Sequence, residues 1–232
     1  MEFLLWFSER EGAPRDVPDC IEKMDKLAGE LASQRKLRRG APLAPVADAA
    51  LVRVRDGKVF VSDGPYAEAK EVVAGFWIVD VASREEAIAI ARRSSAAEWG
   101  TAEVHPIAMR LAYKDSEAGT PFLFVFRREP GLEDCDGAKL AEMIAFGEEL
   151  ASRGILLETA PLKSEPPPAR VEVRGGKAFV TDGPFAEAKE GVGGYGVVRV
   201  KDRAAAIELA KRYPHARWGP VEIREILFFD PV

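Results

Sequence analysis

The sequence predicts an α+β chain: two ferredoxin-like units of βαββαβ type, pairing face to face as a dimeric α/β barrel within one polypeptide. Three observations predict it. First, the stretch VSDGPYAEAKE at 61–71 returns as VTDGPFAEAKE at 180–190. Second, the same offset of 119 residues carries Phe3 to Phe122, Met24 to Met143, Pro42 to Pro161, Gly75 to Gly194 and Trp99 to Trp218, with no insertion or deletion. A period that long is the duplication of a whole domain, not a solenoid repeat. Third, the opening strand of each copy is apolar on both sides. Alternation places Phe3, Leu5 and Phe7 on one side and Leu4 and Trp6 on the other; Phe122, Phe124 and Phe126 oppose Leu123 and Val125 in the second copy. Helices can cover one face of such a sheet. The simplest cover for the other face is a second copy of the sheet.

The units are expected over 1–114 and 120–232, with a stretch of linker composition near 115–119. Within a unit, FLLWF and FLFVF read as short buried strands. Residues 19–37 carry a helical stripe of Ile21, Met24, Leu27, Ala28 and Leu31, and residues 138–153 repeat it with Leu140, Met143, Phe146, Gly147 and Leu150. Gly40 and Gly154 are placed just past those helices, as helix stops. LVRVRDGKVFVS and VEVRGGKAFVT alternate around Asp56-Gly57 and Gly175-Gly176, the signature of a hairpin, read as a decoration of its own unit. AGFWIVDV and GGYGVVRV are the next strands. Ser83 and Asp202 are N-caps for a second helix, and TAEVHPIAM and PVEIREILF are last strands.

Composition narrows the function. The 232 residues are 47% apolar, yet no run reaches the ~18 residues of a membrane span. MEFLLWFSEREGAP has neither a basic leader nor a small-residue cleavage site, so it reads as a buried strand, with a cytoplasmic location expected. A net charge of −5 argues against nucleic acid as a partner. The basic cluster QRKLRRG reads as a solvated helix end, favoured by the helix dipole. Cys20 and Cys135 form no CxxC pair, so neither a disulfide framework nor a metal site is expected. There is no HExxH, GxSxG or Walker loop, and no cofactor is expected. GVGGYG reads as a flat strand start. His105 matches Arg224 and His215 matches Ala96, so no histidine is common to both copies.

The repeated stretch carries two readings. Asp-Gly-Pro is turn chemistry: Gly tolerates unusual dihedrals, Pro fixes φ, and Asp bonds nearby N–H groups. A turn does not explain why the charged residues after it also repeat. On the functional reading, Asp63 and Asp182 are candidates for a catalytic base or an orienting acceptor. Gly64, Pro65, Tyr66, Glu68 and Lys70, with Gly183, Pro184, Phe185, Glu187 and Lys189, are then the ligand-binding set. The Tyr66/Phe185 exchange keeps a ring without the hydroxyl, which argues against a phenol as a required acid in both halves.

The pattern V[ST]DGP[YF]AEAKE, then Gly75-Phe76 or Gly194-Tyr195, then W-G-x-x-E-[VI], resembles the YCII-related proteins, in particular their DGPF-domain branch. The resemblance covers nearly the whole chain, twice. It implies a ferredoxin-like fold that pairs into a dimeric α/β barrel, so the chain is similar to a fused dimer, monomeric or dimeric as a whole. The repeated Asp, Glu and Lys set leads to the expectation of small-molecule binding in pockets near the DGP turns, with lyase- or isomerase-type chemistry as the enzymatic form. The alternative is a non-catalytic accessory module whose partner is an extracytoplasmic-function sigma factor. Relatives with lactone chemistry use a His/Asp pair; here the first strands end in Phe7-Ser8 and Phe126-Arg127 instead.

Overall fold

The computed structural model describes residues 1–10, 18–63, 71–114, 118–128, 137–183 and 191–227. The first unit contains β1 (Glu2–Arg10), α1 (Pro18–Ser33), β2 (Leu37–Pro42), β3 (Ala50–Arg55), β4 (Lys58–Asp63), β5 (Glu71–Asp80), α2 (Arg84–Arg93), α3 (Ala96–Trp99) and β6 (Gly100–Pro106). A short β7 (Leu111–Ala112) leads out of it. The second unit contains β8 (Thr120–Arg128), α4 (Gly137–Ser152), β9 (Leu156–Pro161), β10 (Ala169–Arg174), β11 (Lys177–Asp182), β12 (Gly191–Val200), α5 (Arg203–Arg212) and β13 (Val221–Glu225).

Two antiparallel sheets result, ordered β11-β10-β6-β1-β5-β2 and β4-β3-β13-β8-β12-β9-β7. The four strands β6-β1-β5-β2, with α1 and α2 as crossovers, are a ferredoxin-like core, and β13-β8-β12-β9 is the same core again. The hairpins do not stay with their own units. β3 pairs with β13, with Val52 opposite Val221 and Ala50 opposite Ile223. Reciprocally, β10 pairs with β6, with Ala169 opposite Val104 and Val171 opposite Ala102. Each unit therefore extends the other's sheet. The register buries Ala50, Val52, Ala169 and Val171 under the recipient unit's helices, so burial of apolar surface favours the exchange.

The two-sided apolar strands are explained by three cores. Phe3, Leu5 and Phe7 face Leu27, Leu31, Ile88 and Ala91 on the helical side. Phe122, Phe124 and Phe126 do the same with Leu150, Leu209 and Tyr213. Leu4, Trp6, Phe76 and Ile78 meet Leu123, Val125, Tyr195 and Val197 in a third core between the sheets. The layers are thus helix, sheet, sheet, helix. At the rim, single bridges link Leu43 to Ile226 and Ile107 to Leu162, a twofold-related pair.

Local chemistry follows the sequence in most places. Ser83 Oγ accepts from the Glu86 N–H at 3.2 Å, and the Asp202 carboxylate accepts from the Ala205 N–H at 2.9 Å. Asp56-Gly57 and Gly175-Gly176 all take positive φ, as a tight hairpin turn requires. Two expectations are corrected. The segment LRRGAP is not a helix end but edge strand β2, with no strand on its outer side among the described residues. Gly40 stops no helix. It lies in β2 against Trp77, and a Cβ there would come within 2.3 Å of the indole. In the first copy the left-handed turn after the helix is taken by Arg35 (φ 58°), where the second copy has Gly154 (φ 67°).

Candidate functional site

Asp63 and Asp182 end the two exchanged hairpins, on the outer edges of different sheets, and the fold does not bring them together. Asp63 accepts a hydrogen bond from Arg203 at 2.5 Å, and Arg203 also donates to the Asp48 and Ala49 carbonyls. Asp182 accepts from Arg84 at 2.5 Å, and Arg84 also donates to the Pro167 carbonyl. Arg84 and Arg203 open the second helix of each unit. Each aspartate thus ties its hairpin to the helix of the recipient unit. Both carboxylates remain largely exposed. Gly183 follows Asp182, its N–H bonded to the Pro168 carbonyl at 2.9 Å. Gly64, Pro65, Tyr66, Glu68, Lys70, Pro184, Phe185, Glu187 and Lys189 lie outside the described residues.

A cavity of about 420 Å³ lies elsewhere, in the second unit, between α4 and its sheet. That is a fitting size for a small molecule. Leu140, Met143 and Ile144 line it from α4, Phe126 from β8, and Thr159, Ala160 and Pro161 from β9. Leu111 and Tyr113, from the segment joining the units, complete its wall. This segment is held by β7 pairing with β9 and by the Tyr113 N–H to the Leu157 carbonyl at 2.8 Å. Neither Asp63 nor Asp182 lines the cavity.

Two glycines of GVGGYG shape one side. The ladder between β8 and β12 shifts register between Val192 and Gly194, a local bulge. At Gly193 a Cβ would stand 2.8 Å from Arg128 Nε, so the missing side chain lets the guanidinium lie across the strand. At Gly194 a Cβ would meet the Ala160 carbonyl at 2.8 Å. On α4, a Cβ on Gly147 would be tight against Leu156, at 3.2 Å.

His215, Arg127, Arg128, Lys139, Lys163 and Glu165 are the ionisable side chains of a mostly apolar cavity lining. His215 packs against Phe126 and Trp218. Its Nε2 lies 2.9 Å from the Arg127 carbonyl. A carbonyl only accepts, so Nε2 carries the hydrogen and Nδ1 keeps the lone pair. Burial pushes the imidazole down to about 4, against a smaller opposing effect of that carbonyl, so it is neutral at pH 7. Arg127 donates to buried Glu222 from Nε at 2.9 Å. Arg128 donates to the Leu162 carbonyl at 3.0 Å, and Lys139 stands 5.9 Å from the Trp218 ring centre. Among the described residues, no cluster of His, Cys, Asp and Glu has the makings of a metal site.

Behind the cavity, buried charges join the units. Arg224 donates to the Ala44 and Val73 carbonyls of the first unit at 2.6 and 2.8 Å. Its counterpart His105 instead meets Glu103, which also takes a hydrogen bond from Arg170 of the incoming hairpin. Near the middle of the sandwich, fully buried Glu158 accepts from Arg39, Arg110 and the Tyr195 hydroxyl.

Comparison with known families matches a YCII-related domain at residues 1–109 and again at 120–230. The chain belongs to the YCII-related family. It carries two YCII-related domains in tandem. Over 84 residues it is 43% identical to an uncharacterized protein of Rhizobium meliloti (strain 1021), a match covering 35% of this chain and 65% of that protein. The chain therefore spans just under two thirds of that curated relative's length. Among solved structures, one described as "Putative Chlorite dismutase" aligns over 98% of this chain and 94% of its own, with a TM-score of 0.39 and 8% identity. No helix among the described residues is long and apolar enough to cross a membrane.

Sequence reasoning passed over His215 and its neighbours because it sought chemistry repeated in both YCII-related domains. Much of the cavity's apolar lining repeats, Phe126, Met143, Pro161 and Trp218 among it, but its histidine and several of its charged residues differ between them. The usable signal was the difference itself: Arg127, Arg128, Lys139 and His215 stand where the first copy has Ser8, Glu9, Cys20 and Ala96.

Proposed function

We propose that this protein binds a small molecule in the cavity of its second unit, with His215 as the proton acceptor facing it. One observation carries the reading: a mostly apolar chamber of about 420 Å³ is lined by His215, whose Nε2–H is already committed to a carbonyl. That arrangement fixes the tautomer and leaves Nδ1 to accept a proton or hydrogen bond from the ligand. It suits proton-transfer chemistry of the lyase or isomerase type better than nucleophilic or hydride chemistry. The segment joining the units supplies part of the wall through Leu111 and Tyr113.

The test is thermal denaturation of the whole chain in a metabolite library, with Met143→Trp as a variant that fills the chamber. Compounds that raise the melting temperature of the native chain by several degrees, and leave Met143→Trp unmoved, support the site. A ligand at 100 times its Kd stabilises by about 2.7 kcal/mol, well within detection. Equal shifts in both proteins would place the ligand somewhere else.

A further inference from the structure

We infer that the segment joining the two units is the door of the cavity, opening as β7 leaves β9 and closing as it returns, with Arg110 as its latch. This rests on the reading of the cavity as a ligand site and says how a ligand reaches it. The lining comes from elements held with unequal firmness. Phe126 of β8 and Gly193 and Gly194 of β12 belong to strands paired on both sides. Leu140, Met143 and Ile144 belong to α4, a helix of 16 residues. Ala108, Met109, Leu111 and Tyr113 belong to the joining segment. Its strand is two residues long, with Leu111 opposite Thr159 and Ala112 opposite Glu158. Among the described residues, β7 has no strand on its other side. Local opening starts where the fewest pairings must break, and along this lining that place is β7.

The pivot lies just upstream. Ile107 bridges to Leu162, and the Lys163 N–H donates to the Pro106 carbonyl at 2.9 Å. Residues 109–113 can swing about that anchor without disturbing β6. Met109 is already 41% exposed in the closed form, and Leu111 and Tyr113 are half-buried. Opening therefore uncovers little additional apolar surface.

One side chain opposes the swing. Arg110 donates from Nε to Glu2 at 2.8 Å and from Nη1 to Glu158 at 3.1 Å. Glu2 begins β1 of the first unit and Glu158 lies in β9 of the second, so the latch grips both. Glu158 is fully buried, and a buried carboxylate stripped of its partners would make release costly. Here it keeps Arg39 and the Tyr195 hydroxyl when Arg110 lets go. The latch can open without stranding the charge that holds it. Lids of this kind set the rates of ligand uptake and release.

The test uses the full chain and N-phenyl-1-naphthylamine, an uncharged apolar probe that brightens on leaving water, followed by stopped-flow fluorescence. Leu111→Cys with Thr159→Cys puts two thiols on an opposed antiparallel pair, within disulfide reach. Once oxidised, this variant should take up and release the probe about tenfold more slowly than after reduction. The native chain should give equal rates under both conditions. Arg110→Met should speed uptake and release together, by about threefold, and leave affinity nearly unchanged, because the latch closes the empty and the filled cavity alike. Equal rates in the oxidised and reduced double variant would overturn the door. Native rates in Arg110→Met would overturn the latch. Absence of a fluorescence gain with the native chain, or a gain that survives Met143→Trp, would overturn the cavity reading beneath both.

Discussion

Arg39 and Glu158 occupy the same position in the two copies, and they form one ion pair, Nε to Oε2 at 3.1 Å. Two equivalent residues can touch only where the pseudo-twofold axis passes between them. Phe76 and Tyr195 mark the same axis, with ring centres 6.4 Å apart. In a homodimer of either unit this place would hold two arginines or two glutamates. Fusion into one chain allows opposite charges there, and Glu158 is fully buried. Removing one partner of a buried pair typically costs about 3–5 kcal/mol. Arg39→Glu should therefore destabilise the chain by several kcal/mol in chemical denaturation. The swapped double variant, Arg39→Glu with Glu158→Arg, should recover at least about 1 kcal/mol beyond additivity. Additive losses would deny the pair its role.

The exchange of hairpins predicts how the chain behaves when cut. A protease site placed in residues 115–119 and then cleaved should leave the two halves joined in native buffer. After denaturation and refolding of the mixture, native mass spectrometry should find mixed pairs in excess over pairs of like halves, because only the mixed pair joins Arg39 to Glu158. Halves that separate on cleavage without denaturant would contradict the reciprocal pairing of β3 with β13 and β10 with β6.

The aspartates of the repeated turn should behave as clamps. Each is more than half exposed, and exposed ion pairs contribute about 0–1 kcal/mol. Asp63→Asn and Asp182→Asn should each lower stability by less than about 1 kcal/mol and leave ligand binding in the cavity unchanged. Loss of binding in Asp182→Asn, with the fold intact, would restore that residue as a ligand contact.

Acid should weaken the protein in two stages. Burial holds the His215 imidazole down at about 4, against an ordinary value of 6.5. The unfolded chain therefore takes the proton first, and the stability tied to neutral His215 is full above pH 6.5 and lost as pH falls toward 4. The loss is at most about 3 kcal/mol. Burial alone would raise the Glu103 carboxyl, but His105 and Arg170 outweigh it and hold it at about 2. Its contribution is full above pH 4.5 and lost on the way down to pH 2. Unfolding free energies measured from pH 7 to pH 3 should show the upper stage vanish in His215→Gln and the lower one shrink in Glu103→Gln. An unchanged upper stage in His215→Gln would mean that another group titrates there.

Much of the fold was legible because it rests on local patterns. The alternation in FLLWF assigned Leu4 and Trp6 to one core and Phe3, Leu5 and Phe7 to another, and the structure has both. The caps at Ser83 and Asp202 and the turns at Asp56-Gly57 and Gly175-Gly176 depend on single side chains and backbone angles. The strand LRRGAP was hidden because an edge strand with half-exposed arginines lacks a clean period. The destination of each hairpin was hidden for a deeper reason. Alternation says which side of a strand is buried, not which of two equivalent sheets receives it. The cavity was the least legible part, since it depends on residues from five elements and on glycines whose value is the space they leave.

The reciprocal hairpins also set a rule of parity. Every unit surrenders one hairpin and must accept one, and every unit needs a second sheet against its open face. Two units close this account within a single chain. A third tandem copy would be left with an uncovered apolar sheet and a vacant strand edge, which invite aggregation. Unlike a solenoid, which lengthens one repeat at a time, this architecture can grow by duplication only in even steps.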